Sequence, residues 1–140
     1  DVLGMEITEK QKQKIAEIAK KFGLRLILLF GSRVSDRFNN ESDFDVAYLP
    51  KKRLSFDDEI QINYEFTNIF QYDRVDTVDL RKAPPLLAKR VFDEHQILFC
   101  PDMGLYYLYK IYAAKKFIEA KPLFKLREKF INKYFLAHKI

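Results

Sequence analysis

The 140-residue chain is poor in the residues that build disulfides and zinc sites. Its single cysteine, Cys100, cannot form an internal disulfide, which fits a reducing compartment such as the cytosol. Only two histidines, His95 and His138, accompany it, so the chain lacks the ligands of a structural zinc site. At this length the chain can be stabilised by a hydrophobic core instead.

Long apolar segments are missing as well. No stretch approaches the roughly 18 consecutive apolar residues of a membrane span. The first ten residues show neither the basic nor the apolar segment of a secretory signal. The hydrophobic fraction of 48% and the charged fraction of 32% are typical of globular proteins. We expect one cytoplasmic domain over residues 1–140 that contacts no membrane, with its core at about 8–100 and a helical extension over 103–140.

Acidic residues are fewer than basic ones, 20 against 25, and the net charge is +5. The basic excess is concentrated after position 109. Such a balance suits an anionic partner, such as a nucleotide, a nucleic acid or an acidic protein, and equally a solvated surface. The tyrosine-rich segment 105–117 predicts either a helix packed on the sheet or a surface for a partner protein. Its apolar positions at helical spacing are Leu105, Leu108, Tyr109, Tyr112 and Phe117.

Periodicity and turn residues predict alternating helices and strands. Thr8 followed by Gln11 is typical of a capping box, Gly23 of a helix end, and Ser55 of a second helix start. We expect helices over 8–22, over 55–72, from Pro84, and from Met103 with a break near Pro122. We expect strands over 24–30, 43–49, 74–80 and, at a sheet edge, 96–99. This order indicates an α/β or α+β domain with a small mixed sheet and flanking helices.

Two aspartates, Asp43 and Asp45, stand at the start of the second predicted strand. Residues i and i+2 of a strand point to the same face, so the two carboxylates project together and each raises the pKa of the other. A divalent cation removes that repulsion. Mg²⁺ prefers oxygen ligands, commonly one or two protein carboxylates together with substrate phosphates. Taken alone, the pair is equally typical of a solvated strand end.

Gly31 and Ser32 directly follow the first predicted strand. Glycine lets the chain turn sharply and lets a ligand approach the backbone closely. Ser32 can cap a short helix over 32–38, whose free N–H groups favour anions. The pair therefore predicts a cradle for the phosphates of a nucleoside triphosphate, opposite the aspartates. The neighbouring Arg33 either contacts a phosphate or pairs with Asp36.

The spacing of these residues resembles a known signature. Ten residues separate Ser32 from Asp43, and one separates Asp43 from Asp45. This G-S-x10-D-x-D arrangement resembles that of the DNA-polymerase-β-like nucleotidyltransferase superfamily, and the segments "FGSR" and "SDFDVAYL" resemble its minimal nucleotidyltransferase (MNT) branch. The resemblance covers about residues 15–99 and implies the polymerase-β-like fold.

The superfamily uses a third carboxylate on a later strand. Asp76 and Asp79 in "RVDTVDL" are the candidates, and their opposite parity lets only one of them face the site. The family pattern is an aspartate flanked by apolar residues early in this strand. It matches Asp76, and Asp79 stays the alternative. The resemblance implies that Gly31, Ser32 and Arg33 bind the nucleotide, and that Asp43, Asp45 and Asp76 hold the metals and catalyse.

The resemblance also implies an activity and a partner. The activity is two-metal nucleotidyl transfer with Mg²⁺, or Mn²⁺ as an alternative. A hydroxyl attacks the α-phosphorus of ATP, Asp76 takes its proton and pyrophosphate leaves. MNT proteins of this kind are commonly antitoxins that transfer AMP to a tyrosine of a HEPN-domain RNase toxin. We therefore expect an antitoxin that forms a hetero-oligomer with such a toxin.

Three other functions stay open at this point. A small-molecule (antibiotic-type) nucleotidyltransferase would share every site residue, and an antitoxin acting by binding alone would need none of them. Nucleic-acid binding by the basic C-terminal part is the third and weakest possibility, because the large extra domains with which polymerases grip nucleic acid are missing here. Arg90 and His95 form an R-x4-H pattern similar to that of HEPN RNases. We interpret it as coincidence, because it joins a helix to a strand and Ile97 stands where tyrosine is expected.

Overall fold

The computed structural model describes residues 6–34 and 43–138. Four α-helices and four strands lie along them, and apart from the last helix their bounds agree with the predicted ones to within two residues. The helices are α1 Glu9–Phe22, α2 Phe56–Phe70, α3 Pro85–Asp93 and α4 Met103–His138. The strands are β1 Leu24–Phe30, β2 Phe44–Pro50, β3 Val75–Asp79 and β4 His95–Phe99.

The strands form one mixed sheet in the order β3-β2-β1-β4. Strand β1 is antiparallel to both of its neighbours, β2 and β4. Strands β2 and β3 run parallel, and α2 connects them, because parallel neighbours need a crossover. The predicted mixed sheet with flanking helices is confirmed, as is the position of β4 at a sheet edge.

Local signals fix the ends of the helices. The Thr8 hydroxyl accepts a hydrogen bond from the Gln11 backbone N–H at 3.1 Å, and the Gln11 side chain accepts one from the Thr8 N–H at 3.0 Å. Gly23 ends α1 in the left-handed region, at φ 67°. Ser55 starts α2 with a second capping box, which Asp58 completes. These pairs satisfy N–H groups that the first turn of a helix leaves open.

Apolar side chains fill both faces of the sheet. Helices α1 and α2 cover the first face, and α3 and α4 cover the second. The first cluster includes Ile15, Ile18, Ile27, Leu29, Phe44, Val46, Tyr48, Ile62, Phe66 and Val75. The second cluster includes Leu26, Leu28, Ala47, Leu49, Val91, Phe92, Tyr106 and Ala113. This double cover leaves the two ends of the strands as the places where polar groups meet.

Helix α4 corrects one prediction. It runs unbroken for 36 residues with Pro122 inside it, so the expected break there is wrong. Proline removes one helical hydrogen bond, but this stretch is exposed and water can satisfy the freed carbonyl. Tyr106 and Ala113 are buried on the sheet, whereas Leu108 and Tyr112 are exposed, so the helix offers both a packing face and an open face. No described helix, α4 included, combines the length and apolarity needed to cross a membrane.

Candidate active site

The turn after β1 brings the backbone against a carboxylate. Gly31 has φ 85°, a conformation that glycine adopts without strain, and it opens a 3-10 turn that ends at Val34. A Cβ at Gly31 would lie 2.3 Å from Oδ2 of Asp45. Ser32 is the second residue of this turn rather than a helix cap, which corrects its predicted role. The rest of the predicted short helix, 35–38, lies outside the described residues.

The register of the sheet brings Asp45 and Asp76 together. Asp45 is paired with Phe30 on one side and with Asp76 on the other. Their neighbours Val46 and Val75 point into the first core cluster, so by strand alternation both aspartates face the second side of the sheet. The sequence-predicted residues Gly31, Asp45 and Asp76 thus meet at one end of the strands.

Asp79 lies elsewhere. It pairs with Tyr48 at the opposite end of β2, and its parity turns it to the other face of the sheet. It is only 7% exposed, and its carboxylate accepts a hydrogen bond from the Arg81 N–H at 2.8 Å. Burial raises its pKa, partly offset by that bond. Asp79 is therefore not a surface charge at a strand end, and it is too far along the strand to share a cation with Asp45.

The electrostatics of Asp45 match the predicted repulsion. Burial raises the pKa of the Asp45 carboxyl above its ordinary value, and the charges of Asp76 and Asp43 raise it further. Arg90 on α3 lowers it in part. The negative charges of Asp43 and Asp76 disfavour the ionised form of Asp45. A bound cation would offset this repulsion.

Asp43 already has a cationic partner. Its Oδ1 lies 3.5 Å from Nε of Arg74, the residue that precedes β3. The Arg74 guanidinium also donates a hydrogen bond to the Tyr72 hydroxyl. Arg33 stacks on the same group of rings, 4.1 Å from the centroid of Phe44 and 5.1 Å from that of Tyr72. Arg74 therefore lies beside Asp43, and both guanidinium groups, which suit phosphate recognition, stack on the aromatic rings at this end of the sheet.

The side chains at this site are of the types that bind a divalent cation, but they are not arranged around one point as metal ligands. Carboxylate oxygens are the ligands that Mg²⁺ and Mn²⁺ prefer. Glycine at position 31 leaves the space that the Asp45 carboxylate occupies. In the described ranges, no three His, Cys, Asp or Glu side chains converge closely enough to hold a metal ion. The pairing of Asp43 with Arg74 accounts for part of this, since metal binding requires Asp43 to exchange that partner.

Sequence reasoning missed two arginines near the aspartates. Arg74 was not considered, although its place two residues before Asp76 puts it beside the start of β2 once the strands are paired. Arg90 was considered only as part of R-x4-H. It lines a cleft of about 180 Å³ with Gly31 and Glu94, whereas Nε2 of His95 lies 2.7 Å from the Tyr106 hydroxyl. Arg90 and His95 thus have different surroundings, as the coincidence interpretation requires.

Comparison with known proteins agrees with this arrangement. The family model described as "Polymerase beta, Nucleotidyltransferase" matches residues 13–103. A comparison with curated protein sequences gave no match. Among solved structures, one described as the tri-AMPylated Shewanella oneidensis HEPN toxin in complex with MNT antitoxin has a chain 22% identical. Its TM-score is 0.66, and the match covers 91% of this chain and 98% of that one.

Two further solved structures give the same result. In a toxin–antitoxin structure with AMP-PNP, the similar chain is 24% identical with a TM-score of 0.68, covering 89% of this chain and 98% of that one. In a structure of the MntA-HepT toxin–antitoxin the values are 22% and 0.66, with 91% and 99% covered. These likenesses establish the fold. Since the family model spans well over half of the chain, the protein belongs to the polymerase-beta nucleotidyltransferase family.

Proposed function

We propose that the protein is an antitoxin that transfers AMP from ATP to a tyrosine of a HEPN-domain RNase toxin and so neutralises it. The observation that carries this proposal is the meeting of Gly31, Asp45 and Asp76 at one end of the sheet. Family membership supports nucleotidyl transfer as the chemistry. The solved structures that share the fold support a HEPN toxin as the acceptor, since one contains an AMPylated HEPN toxin and another contains AMP-PNP.

The three aspartates have the chemistry to hold the cations that the reaction needs. We assign Asp43, Asp45 and Asp76 as ligands of two Mg²⁺ ions, with Mn²⁺ as the alternative. When bound, such ions neutralise triphosphate charge and acidify the attacking hydroxyl. Binding them relieves the repulsion that raises the pKa of Asp45.

The chain's own residues then position ATP and move one proton. Gly31 lets the backbone of the turn approach the phosphates, Ser32 offers a hydroxyl and an N–H, and Arg33 offers a guanidinium. The acceptor oxygen forms a bond to the α-phosphorus while the bond to pyrophosphate breaks. Asp76 takes the proton of the hydroxyl. The contribution of the protein is positioning and charge compensation rather than a covalent intermediate.

The proposal includes the setting of the reaction. We place the protein in the cytoplasm, in a hetero-oligomer with its toxin, and treat residues 1–140 as one domain with a core over 8–100 and an extension over 103–140. The double-sided packing of the sheet by helices from both parts supports a single folding unit.

The test is transfer to the product of the neighbouring gene. The protein, ATP, Mg²⁺ and that product are incubated, and the intact mass of the product is measured. We expect AMP additions that disappear with EDTA and with the double variant Asp43→Asn/Asp45→Asn, but not with Asp57→Asn, an exposed aspartate on α2. Mapping the addition to a tyrosine completes the test. A HEPN product that is neutralised without gaining AMP would contradict the proposal and favour binding alone.

A further inference from the structure

A large cleft in the described part of the chain lies far from the aspartates. It has a volume of about 640 Å³ and opens between the far ends of β1 and β2 and the first turns of α4. Asp45 and Pro50 mark the two ends of β2, so roughly 16 Å of strand separates the cleft from the candidate active site. The residues that define this cationic cleft are Arg25, Lys51, Arg81, Leu108, Tyr109 and Tyr112.

The charge of the cationic cleft has one sign. Arg25, Lys51 and Arg81 are exposed, and no ion pair engages their side chains within ranges 6–34 and 43–138. None of the residues lining the cleft is acidic. A second, smaller cleft of about 220 Å³ shares Arg81 and both tyrosines and adds Lys116. Lys116 lies 3.8 Å from the Glu119 carboxylate, so Arg25, Lys51 and Arg81 are the cations available to a ligand.

An irregularity in the sheet aims one of these cations at the cleft. Leu24 and Leu26 pair with the consecutive residues Pro50 and Leu49, so Arg25 is an extra residue in β1. Such a bulge changes the direction of a side chain. Without it, Arg25 would share the first face with the buried Ile27, by strand alternation. The bulge instead places the guanidinium at the cleft, beside Leu49.

The floor and wall of the cationic cleft are apolar and already ordered. The Tyr109 hydroxyl donates a hydrogen bond to the Leu80 carbonyl at 3.0 Å, and its ring lies 5.5 Å from that of Tyr112. Leu108 and Tyr112 are 67% and 50% exposed, so apolar area stands open next to the cations. Aromatic anchors within a charged rim are typical of protein interfaces.

We propose that the cationic cleft binds an acidic segment of the partner toxin, one that carries at least one apolar side chain between its carboxylates. The identity of the partner rests on the proposed function. Charge complementarity selects this occupant, because a second copy of the chain would bring its own net charge of +5 to a positive surface. Holding the toxin here leaves its tyrosine free to reach Asp76, and binding energy gained away from the reacting atoms serves to orient them.

The experiment compares two charge-reversal variants with equal net charge. The cleft variant is Arg25→Glu/Lys51→Glu/Arg81→Glu. The control is Lys10→Glu/Lys14→Glu/Lys20→Glu, on the exposed face of α1, where none of the three lysines belongs to an ion pair among the described residues. Both change the net charge equally, so any general attraction between the proteins is lowered to the same extent. A milder variant, Leu108→Ser, removes apolar area without changing charge.

The measured quantity is the dissociation constant of the HEPN protein encoded next to this chain, by calorimetry without nucleotide. We expect the cleft variant to weaken binding at least about 30-fold more than the control, and Leu108→Ser to weaken it about 3- to 10-fold. Mg²⁺–ATP binding, measured in parallel, stays unchanged in all three and shows that they are folded.

Equal weakening in cleft and control variants would overturn the proposal. So would a dimer of this chain that the cleft variant dissociates, or RNA binding that the cleft variant abolishes while toxin binding persists. Failure of the proposed function would give a different experimental result. In that case the wild-type protein transfers no AMP, and the calorimetric comparison still decides whether the cationic cleft binds the toxin.

Discussion

The two ends of the sheet carry opposite chemistry. At one end, Asp43, Asp45 and Asp76 bring negative charge to a turn that starts with Gly31. At the other end lies the cationic cleft, with exposed tyrosine and leucine between its arginines and lysine. The first end is polar, partly buried and built for small hard ligands, whereas the second is open, with apolar area among its charges.

The difference shows how the two ends of one small sheet can suit two different kinds of ligand. Strand β2 reaches both ends, so a partner protein bound in the cleft, as we propose, would be kept at a fixed distance from the aspartates. A carboxylate cluster can bind metal and nucleotide but offers little apolar area for a protein. A protein that modifies another protein needs both kinds of surface. The predictions that follow separate the contributions of the acidic end from those of the rest of the fold.

The largest expected effect distinguishes two aspartates of one strand. Asp76→Asn should lower the rate of AMP transfer about 10²- to 10⁴-fold, because the group that accepts the proton is lost. Asp79→Asn should leave the rate within about 3-fold, since an asparagine oxygen can still accept the Arg81 N–H and the residue faces away from the site. Single-turnover rates of both variants provide the measurement. Equal losses would contradict the assignment of Asp76.

The second effect compares two glycines with positive φ. Gly31→Ala and Gly23→Ala should each cost about 1–2 kcal/mol of folding stability, because alanine is strained in that region. Only Gly31→Ala places a Cβ at 2.3 Å from the Asp45 carboxylate; at Gly23 the nearest atom is 4.0 Å away. A displaced carboxylate should lower AMP transfer roughly 100-fold. Thermal denaturation and transfer rates of both variants test this. A fully active Gly31→Ala variant would contradict the claim that position 31 must lack a Cβ to leave room for the Asp45 carboxylate.

The third effect is on stability and depends on pH. The raised pKa of Asp45 means that its ionised form destabilises the metal-free fold as the pH rises above the ordinary carboxyl range. Asp45→Asn should therefore be more stable than wild type near pH 7, by about 0.5–2 kcal/mol. The difference should shrink as the pH falls, because the folded wild type then takes up a proton at Asp45 and loses the unfavourable charge. Denaturant unfolding at several pH values gives the measurement, and a variant less stable at pH 7 would contradict it.

The smallest effect concerns the partner of Asp43. Removing Arg74 should tighten metal binding without nucleotide, because an exposed ion pair no longer competes for Asp43. We expect Arg74→Met to lower the dissociation constant for Mn²⁺ about 2- to 5-fold by calorimetry. Arg53→Met, an exposed arginine after the far end of β2, is the control. Weaker metal binding by Arg74→Met would show that the arginine supports the site in its metal-free form.

Much of the fold could be predicted because its signals are local. Capping boxes, Gly23 and strand alternation depend on neighbouring residues, and each has its predicted position. The continuity of α4 could not be predicted, since whether Pro122 breaks a helix depends on how its surroundings satisfy the backbone. The burial of Asp79 likewise depends on the packing of α2 against β3, which the sequence pattern does not reveal.

Some residues of the candidate site could likewise be predicted from the sequence, and others could not. Gly31, Asp43 and Asp45 could be predicted from the family resemblance that their spacing carries. Strand parity allows only one of Asp76 and Asp79 to face the site, and the family pattern favours Asp76. Arg74 and Arg90 could be identified near the site only from the tertiary structure, because they approach the aspartates from a loop and from α3. The cationic cleft needed it too. Its cations are far apart in the chain, and the bulge at Arg25 overrides the alternation that a sequence pattern assumes.

The most direct test follows the two ends of ATP through the reaction. The protein, its neighbouring HEPN protein and Mg²⁺ receive ATP labelled either at the α-phosphate or at the γ-phosphate. Our account predicts that the α-label becomes bound to a HEPN tyrosine and that the γ-label leaves as pyrophosphate in equal amount. Transfer of the γ-label to the HEPN protein would contradict nucleotidyl transfer to the toxin. Release of pyrophosphate with no α-label on the HEPN protein would contradict it as well.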